Sequence, residues 1–302
     1  MNSNTKAINF KEEISFNELL KFLTSKYIFF SITFSVFFIF SLIYSLSIPN
    51  SYTSESVYST EEEDLASPSI GGLAGIVGID IGNKSNKANL AIELISSRAF
   101  FKLIIEDEEV LKKIYGSKSF NKSSGQILFD DNLLDAKNDW KIDEKPSVLK
   151  AYKQYSGNLQ ISTNVETGFI EMSYVHVSPV FASELLDLIA KKANDFLRNK
   201  DIEASKEALT YLRNQMREES IVSVRSSIGK LIEAQLEKLM IAQISEEYYL
   251  KSIEPPFIPE EKSSPQRLVI VTLFSLFSIL VSSIFLISRE FFIFLKKESN
   301  FE

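Results

Sequence analysis

The stretch YIFFSITFSVFFIFSLIYSLSI, residues Tyr27 to Ile48, decides the fold, because it contains no charged side chain. About 20 consecutive apolar residues are enough for a helix to cross the ~30 Å hydrocarbon core of a bilayer. A second stretch of this kind, LVIVTLFSLFSILVSSIFLIS, runs from Leu268 to Ser288. The first stretch is too long for the apolar core of a cleaved signal peptide, and it ends in Ser47-Ile48-Pro49-Asn50, which is not a small-x-small cleavage pattern. The sequence therefore predicts two transmembrane helices, one near each end of the chain.

The positions of Lys and Arg around the spans predict their orientation. Lysines precede the first span at positions 6, 11, 21 and 26, and none follows it until Lys84. The second span is ambiguous alone, because basic residues flank it on both sides. The first span therefore decides that both termini are cytoplasmic. The expected segments are a cytoplasmic tail (1–26), the first span (27–48), a periplasmic α+β domain (49–267), the second span (268–288) and a cytoplasmic tail (289–302).

Composition limits what the region between the spans can do. The net charge of −7 disfavours a nucleic-acid partner, because nucleic-acid binding needs a basic surface. With no cysteine and one histidine, His176, we predict no disulfide, no metal site and no cofactor. A lone histidine on a predicted strand is more often a packed residue than a catalytic base. No other pair of groups is spaced for catalysis, so we predict that the protein is not an enzyme.

Residue patterns predict an α+β fold between the spans. Alternating apolar and polar residues indicate strands in a small mixed sheet at 50–60, 159–163, 169–175 and 247–253. Helical spacing indicates helices at 88–105, 108–115 and 147–154, with a short ordered piece at 126–129. The glycine-rich segment 71–78 lacks the Gly-Lys-Ser/Thr of a phosphate-binding loop, so we interpret it as a flexible apolar loop.

A long protruding helix or helix hairpin is predicted for residues 179–245. After Pro179 the region has no proline and one glycine, and Ser178 is a suitable N-cap. Its narrow apolar stripe is typical of contact with another helix, in the same chain or in a neighbour. One continuous helix would be ~100 Å long, whereas the chain from Glu246 to Arg267 reaches ~75 Å at most. We therefore expect a reversal near Glu218–Ser227, with one straight helix as the alternative.

Local motifs carry a family resemblance. Residues 94–98 read Leu-Ile-Ser-Ser-Arg. They resemble a Leu-x-Ser-Arg helix motif of one protein family, with Ser97 and Arg98 as the matching positions. Residues 170–174, followed by Pro179, resemble the strand that precedes a long helix in the same proteins. Ahead of the second span lies a stiff, extended connector (255–265) that contains Pro255, Pro256, Pro259 and Pro265. In this order, and with two spans, the chain resembles the Wzz chain-length determinants, which are polysaccharide co-polymerases of Gram-negative inner membranes.

The second span departs from this family, which often has glycine there. Residues 268–288 contain no glycine, so a glycine-based contact between helices is not carried over. Close packing would have to use the small side chains of Ser275, Ser278, Ser282 and Ser283.

The resemblance implies a non-enzymatic regulator of lipopolysaccharide O-antigen chain length that forms a homo-oligomer in the inner membrane. Its expected partners are a Wzy-type O-antigen polymerase, undecaprenyl-linked polysaccharide and the lipid bilayer. The alternative is a capsule or exopolysaccharide co-polymerase or export protein that works with a separate kinase or an export channel. We expect no kinase domain within the chain, because it ends soon after Ser288. A two-span sensor is disfavoured, because no output domain follows the second span.

Overall fold

The computed structural model describes residues 25–60 and 84–299. The lysines at positions 6, 11 and 21, the predicted loop 71–78 and the last residues of the C-terminal tail lie outside the described residues. The chain divides into two compact units. The first contains residues up to Pro49 and those from Ser264 onward, and the second is Asn50–Ser263.

Helices and strands are mixed along the described chain, which confirms the predicted α+β class. The helices are α1 (Tyr27–Ser47), α2 (Lys84–Ile95), α3 (Arg98–Ile104), α4 (Glu108–Gly116), α5 (Val148–Asn158), α6 (Pro179–Glu218), α7 (Val222–Ile244) and α8 (Arg267–Ser299). The strands are β1 (Tyr52–Ser59), β2 (Ser117–Asn121), β3 (Gln126–Phe129), β4 (Leu159–Thr163), β5 (Ile170–His176) and β6 (Lys251–Glu254). In length and composition, α1 and α8 are the two described helices able to cross a membrane. Helix α8 continues past Ser288, where the second span was predicted to end.

The main sheet of the second unit has the strand order β4-β5-β1-β6, and its strands pair antiparallel throughout, not in the mixed arrangement predicted. The tight turn between β4 and β5 explains part of this, because short connections join antiparallel strands. Gly168 in that turn has φ +74, a conformation that glycine adopts without steric cost. In the β1–β5 pair, Tyr52 lies opposite His176 and Tyr58 lies opposite Ile170. Strands β2 and β3 form a separate antiparallel hairpin.

The core lies between one face of the main sheet and helices α2, α3, α5 and α6. Along β5 the buried and exposed positions alternate, with Met172 and Tyr174 buried and Glu171 exposed. Burial of every second residue is what a sheet with one covered face requires. An aromatic series links the layers, because the Tyr155 ring lies 4.9 Å from Phe101 and 6.4 Å from Tyr174 between ring centroids. This core fixes the first half of α6 against the sheet.

Two predicted elements differ from the structure. The helix predicted at 88–105 is two helices, because the Ser97 side chain caps α3 by accepting a hydrogen bond from the Phe100 backbone at 3.0 Å. The strand predicted at 247–253 is limited to β6 (Lys251–Glu254), because the backbone before it bonds a side chain of α6 instead of a strand. The β2 strand was not predicted, although its partner β3 matches the short ordered piece expected at 126–129.

The long helical region is a hairpin of α6 and α7, so the alternative of one straight helix is wrong. The chain reverses at Glu219–Ile221, inside the predicted range. The two helices run antiparallel, since Lys238 pairs with Asp201 near one end while Gly229 faces Met216 farther along. The predicted cap is also confirmed. The Ser178 hydroxyl accepts from the Phe181 N–H at 3.3 Å, and Pro179 is at the first helical position.

Candidate functional site

His176 has a packing role in this structure. Its side chain is buried, with 6% of the residue exposed. The Ser178 N–H donates to Nδ1 at 3.0 Å, and Nε2 lies 3.0 Å from the Lys113 carbonyl, which fits the neutral ring protonated on Nε2. Burial lowers the pKa of His176 from 6.5 to about 4. Both nitrogens are therefore occupied near neutral pH, and neither is available to a substrate.

Metal-binding side chains are not gathered into a site in residues 25–60 and 84–299, where no group of three or more His, Asp or Glu could hold an ion. The candidate functional features are therefore contact surfaces and joints. Three are well defined in the structure. They are the packing of α1 on α8, the hydrogen bonds of Asn194 at the base of the α6–α7 hairpin, and the contact between Ser51 and Ser263, where the chain enters and leaves the second unit.

Within the first unit, α1 and α8 pack through small side chains flanked by aromatic rings. Ser41 and Ser45 of α1 and Ser278 and Ser282 of α8 are each at most 2% exposed. Residues four apart share one face of a helix, so each helix presents a stripe of serines to its partner. The hydroxyl oxygens of Thr33 and Ser282 lie 2.7 Å apart and join the two helices.

Aromatic pairs lie at both ends of this contact. Phe29 stacks on Phe285 at 5.7 Å between ring centroids, and Tyr44 lies 6.0 Å from Phe274. Of the predicted packing serines, Ser278 and Ser282 are in the contact, whereas Ser275 is only half-buried. The Ser278 and Ser282 hydroxyls donate to carbonyls of their own helix at 2.7 and 2.6 Å, so burial leaves neither unsatisfied. The contact is within one chain, and a role of these serines between chains remains a prediction.

Asn194 forms the joint at the base of the hairpin. Its side chain is 5% exposed and points from α6 to the segment that follows α7. Its Oδ1 accepts from the backbone N–H groups of Tyr249 (2.8 Å) and Leu250 (2.7 Å), and its Nδ2 donates to the Leu250 carbonyl at 3.0 Å. One side chain thus satisfies three backbone groups in the interior. Asn194 was not among the predicted site residues, although an amide inside the apolar stripe of α6 is the signal that would have indicated it.

Charged groups surround this joint on the hairpin side. Asp201 pairs with Lys238 at 3.1 Å and accepts from the Tyr248 hydroxyl at 2.9 Å. Arg198 donates to the Ser245 carbonyl at 3.2 Å, where a cation also complements the negative end of α7. Arg198 pairs with Asp195 as well. These contacts tie the end of α7 back to α6 beside the part of α6 that packs in the core.

Helix α7 exposes apolar side chains at both of its ends. Val222 at the start of α7 is 81% exposed, and Met240 and Ile244 near its end are 58% and 80% exposed. Among the residues of α7, only Ala242 is buried. A helix that leaves so much apolar surface open has a face suited to a further protein surface.

The connector (255–265) packs against β1 and α6, and Ser97 and Arg98 lie at the start of α3. From β6 onward the connector runs along β1, where the Ser54 hydroxyl donates to the Phe257 carbonyl at 2.7 Å. The Ser183 hydroxyl of α6 donates to the Pro256 carbonyl at 3.1 Å. Pro259 is buried, Pro255 is exposed, and Pro265 belongs to the first unit, just before α8. Arg98 is exposed on the first turn of α3, directly after the Ser97 cap.

The chain matches no protein-family model and no curated protein sequence. It is similar to solved structures at 13% sequence identity. One, a full-length bacterial polysaccharide co-polymerase, aligns over 91% of this chain and 97% of its own length, with a TM-score of 0.41. Another, a fragment of WzzB, a polysaccharide co-polymerase from Salmonella Typhimurium, aligns over 71% of this chain and 100% of its own length, with a TM-score of 0.31.

Proposed function

We propose that this chain is a polysaccharide co-polymerase that regulates the length of lipopolysaccharide O-antigen chains. The observation that carries the proposal is the arrangement of the chain around one domain. Two helices able to cross a membrane connect to the same end of an antiparallel sheet, and a long helical hairpin extends from that domain. The ordered motifs around Arg98, Pro179 and Pro265 support the same assignment.

The protein acts from the periplasmic side of the inner membrane, with both termini in the cytoplasm. The lysines before α1 and their absence after it support this orientation. The molecule works as a non-enzymatic scaffold and forms a homo-oligomer. The open apolar side chains of α7 support an assembly of this kind, because an exposed apolar face is stabilised when a second surface covers it.

Its partners are a separate Wzy-type polymerase and the undecaprenyl-linked polysaccharide that the polymerase extends. In this proposal the α6–α7 hairpin presents a contact surface to these partners without taking part in bond formation. The polymerase supplies the chemistry, and the scaffold influences when a chain is released.

The test is the length distribution of the polymer in cells that lack the chain. We expect deletion to broaden the lipopolysaccharide ladder on a gel while polymer is still made, and the full chain to restore the narrow distribution. A ladder that is unchanged by deletion would refute the proposal. Loss of capsule or exopolysaccharide with an unchanged ladder would instead support the alternative co-polymerase role.

A second measurement addresses the assembly. The full chain is purified in a mild detergent, and its mass is measured by native mass spectrometry at several protein concentrations. We expect a defined oligomer whose population is stable on dilution. A strict monomer at every concentration would contradict the scaffold mechanism.

A further inference from the structure

The two ends of the second unit meet beside the start of β1. The Ser263 N–H donates to the Ser51 carbonyl at 2.9 Å, and the Thr53 hydroxyl donates to the Ser263 hydroxyl at 2.8 Å. Ser51 lies four positions after Ser47, the last residue of α1, and Ser263 lies four positions before Arg267, the first residue of α8. Four extended residues reach ~14 Å at most. The two short connections therefore limit how far this end of β1 can lie from a bilayer that α1 and α8 cross.

The turn between β2 and β3, residues Asn121–Gly125, is attached to the same end of β1. The Lys122 ammonium donates to the Glu260 carbonyl at 3.2 Å and lies 5.2 Å from the centre of the Tyr52 ring. Tyr52 is the first residue of β1, and Glu260 is three positions before Ser263. The turn is thus held next to the residues that lead into both spans.

The chemistry of the turn suits lipid headgroups and not the hydrocarbon interior. All five of its residues are exposed, and none has an apolar side chain. The Asn121 side chain accepts from the Ser123 N–H at 2.9 Å, which fixes the backbone of the turn. A lysine and two serines then remain at the surface, and these are side chains that bind phosphate oxygens.

We propose that the β2–β3 turn contacts the phospholipid headgroups of the bilayer that α1 and α8 cross, with Lys122, Ser123 and Ser124 facing headgroup phosphates. The inference rests on the proposed crossing of the membrane by these two helices. It adds a third point of contact between the chain and the membrane surface, formed by a hairpin that is distant from both spans in sequence.

The absence of cysteine in the chain permits a direct test, because any single introduced cysteine is the only site of labelling. The full chain with Ser123→Cys is labelled with a fluorophore and placed in nanodiscs whose phospholipids carry a nitroxide on the headgroup. The matched variant is Glu166→Cys in the β4–β5 turn. There Asn164 accepts from the Glu166 N–H at 3.0 Å, as Asn121 does in the other turn.

The two labelled turns lie beside opposite ends of β1, because Lys122 contacts the Tyr52 ring at its start. The β4–β5 turn precedes Ile170, which pairs with Tyr58, and Tyr58 is six positions from Tyr52, or ~20 Å along β1. We expect headgroup nitroxides to quench the label at position 123 several-fold more strongly than the label at position 166. Equal quenching at the two positions would overturn the proposal.

A third variant separates failure of the inference from failure of the membrane crossing. Phe277→Cys places a label on an exposed position of α8, and acyl-chain nitroxides should quench it. Quenching at position 277 without quenching at position 123 would overturn the headgroup contact alone. No quenching at either position would overturn both the contact and the crossing.

The role of Lys122 is tested in the labelled Ser123→Cys protein. Lys122→Ala removes the attachment of the turn to Glu260, so we expect quenching at position 123 to fall toward the value at position 166. Lys153→Ala, which removes an exposed lysine of α5, should leave quenching unchanged. An identical effect of the two substitutions would contradict the assigned role of Lys122.

Discussion

Replacing Asn194 with alanine removes the joint between α6 and the segment that follows α7. The substitution deletes three hydrogen bonds, of 2.7, 2.8 and 3.0 Å, from the Asn194 side chain to the backbone of Tyr249 and Leu250, and alanine replaces none of them. An unsatisfied buried group costs about 1–3 kcal/mol. Water entering the space left by the side chain offsets part of this cost. We therefore expect local opening at Tyr249 and Leu250 to become easier by about 3 kcal/mol, or roughly a hundredfold.

Hydrogen exchange measured by mass spectrometry on the full chain in detergent reads this opening directly. The peptide containing Tyr249 and Leu250 should exchange about a hundredfold faster in Asn194→Ala than in the unchanged chain, if opening governs exchange. Asn194→Asp keeps an acceptor for both N–H groups but places an acceptor oxygen against the Leu250 carbonyl, so the same peptide should also exchange faster in this variant. The control is Asn199→Ala, an exposed position of the same helix. Equal exchange in Asn194→Ala and Asn199→Ala would refute the role assigned to Asn194.

Three further substitutions test the pH dependence, the helix contact and the turns. Because the folded protein holds His176 with a pKa of about 4 instead of 6.5, its contribution to stability is complete above pH 6.5 and is lost as the pH falls toward 4. Over that interval the free energy of unfolding, measured by denaturant titration, should therefore fall by roughly 3 kcal/mol more in the unchanged chain than in His176→Gln. Parallel pH profiles of the two proteins would contradict this. Ser282→Leu overfills the contact with α1 and should lower the thermal midpoint in detergent, whereas Ser283→Leu should have little effect; equal midpoints would exclude the observed packing. Gly168→Ala should destabilise the domain by about 1 kcal/mol or more, because the backbone φ of Gly168 is +74. Gly157→Ala, in a helix with open space around the added methyl group, should stabilise the domain by about 0.5–1 kcal/mol. Thermal unfolding of the two variants measures whether each substitution raises or lowers the stability.

The elements predicted well are those whose signal is local. The two apolar stretches, the alternation of 170–174 and the Ser178-Pro179 helix start each depend on a few adjacent residues, and the structure has all of them. The reversal of the hairpin was located by a length argument, because the chain has to return to the second span. Local signals of this kind survive folding since packing reinforces them and does not oppose them.

The strands were misplaced or missed where the backbone conformation depends on hydrogen bonds from residues distant in sequence. Tyr248 and Tyr249 have high strand propensity, yet Asn194 holds the backbone of Tyr249 and Leu250, and this contact was not predictable from residues 247–253. Strand β2 reads Ser-Lys-Ser-Phe-Asn and has a weak pattern, so its pairing with β3 determines it. The packing serines were predictable as small residues in an apolar span, whereas the Lys122 contact with Glu260 joins positions too distant for any sequence pattern to reveal.

The joint at Asn194 makes the α6–α7 hairpin a lever with its fulcrum at the edge of the core. From Asn194 to the end of α6 at Glu218 the helix extends ~36 Å. A rotation of ~5° at the fulcrum therefore displaces the tip by ~3 Å, while the core residues near Leu185 stay in place. Conversely, a load applied at the tip is shared by the three hydrogen bonds of this amide and by the contacts of Asp201 and Arg198 beside it. Strengthening or weakening that amide would change the stiffness of the whole hairpin without altering any residue on its surface.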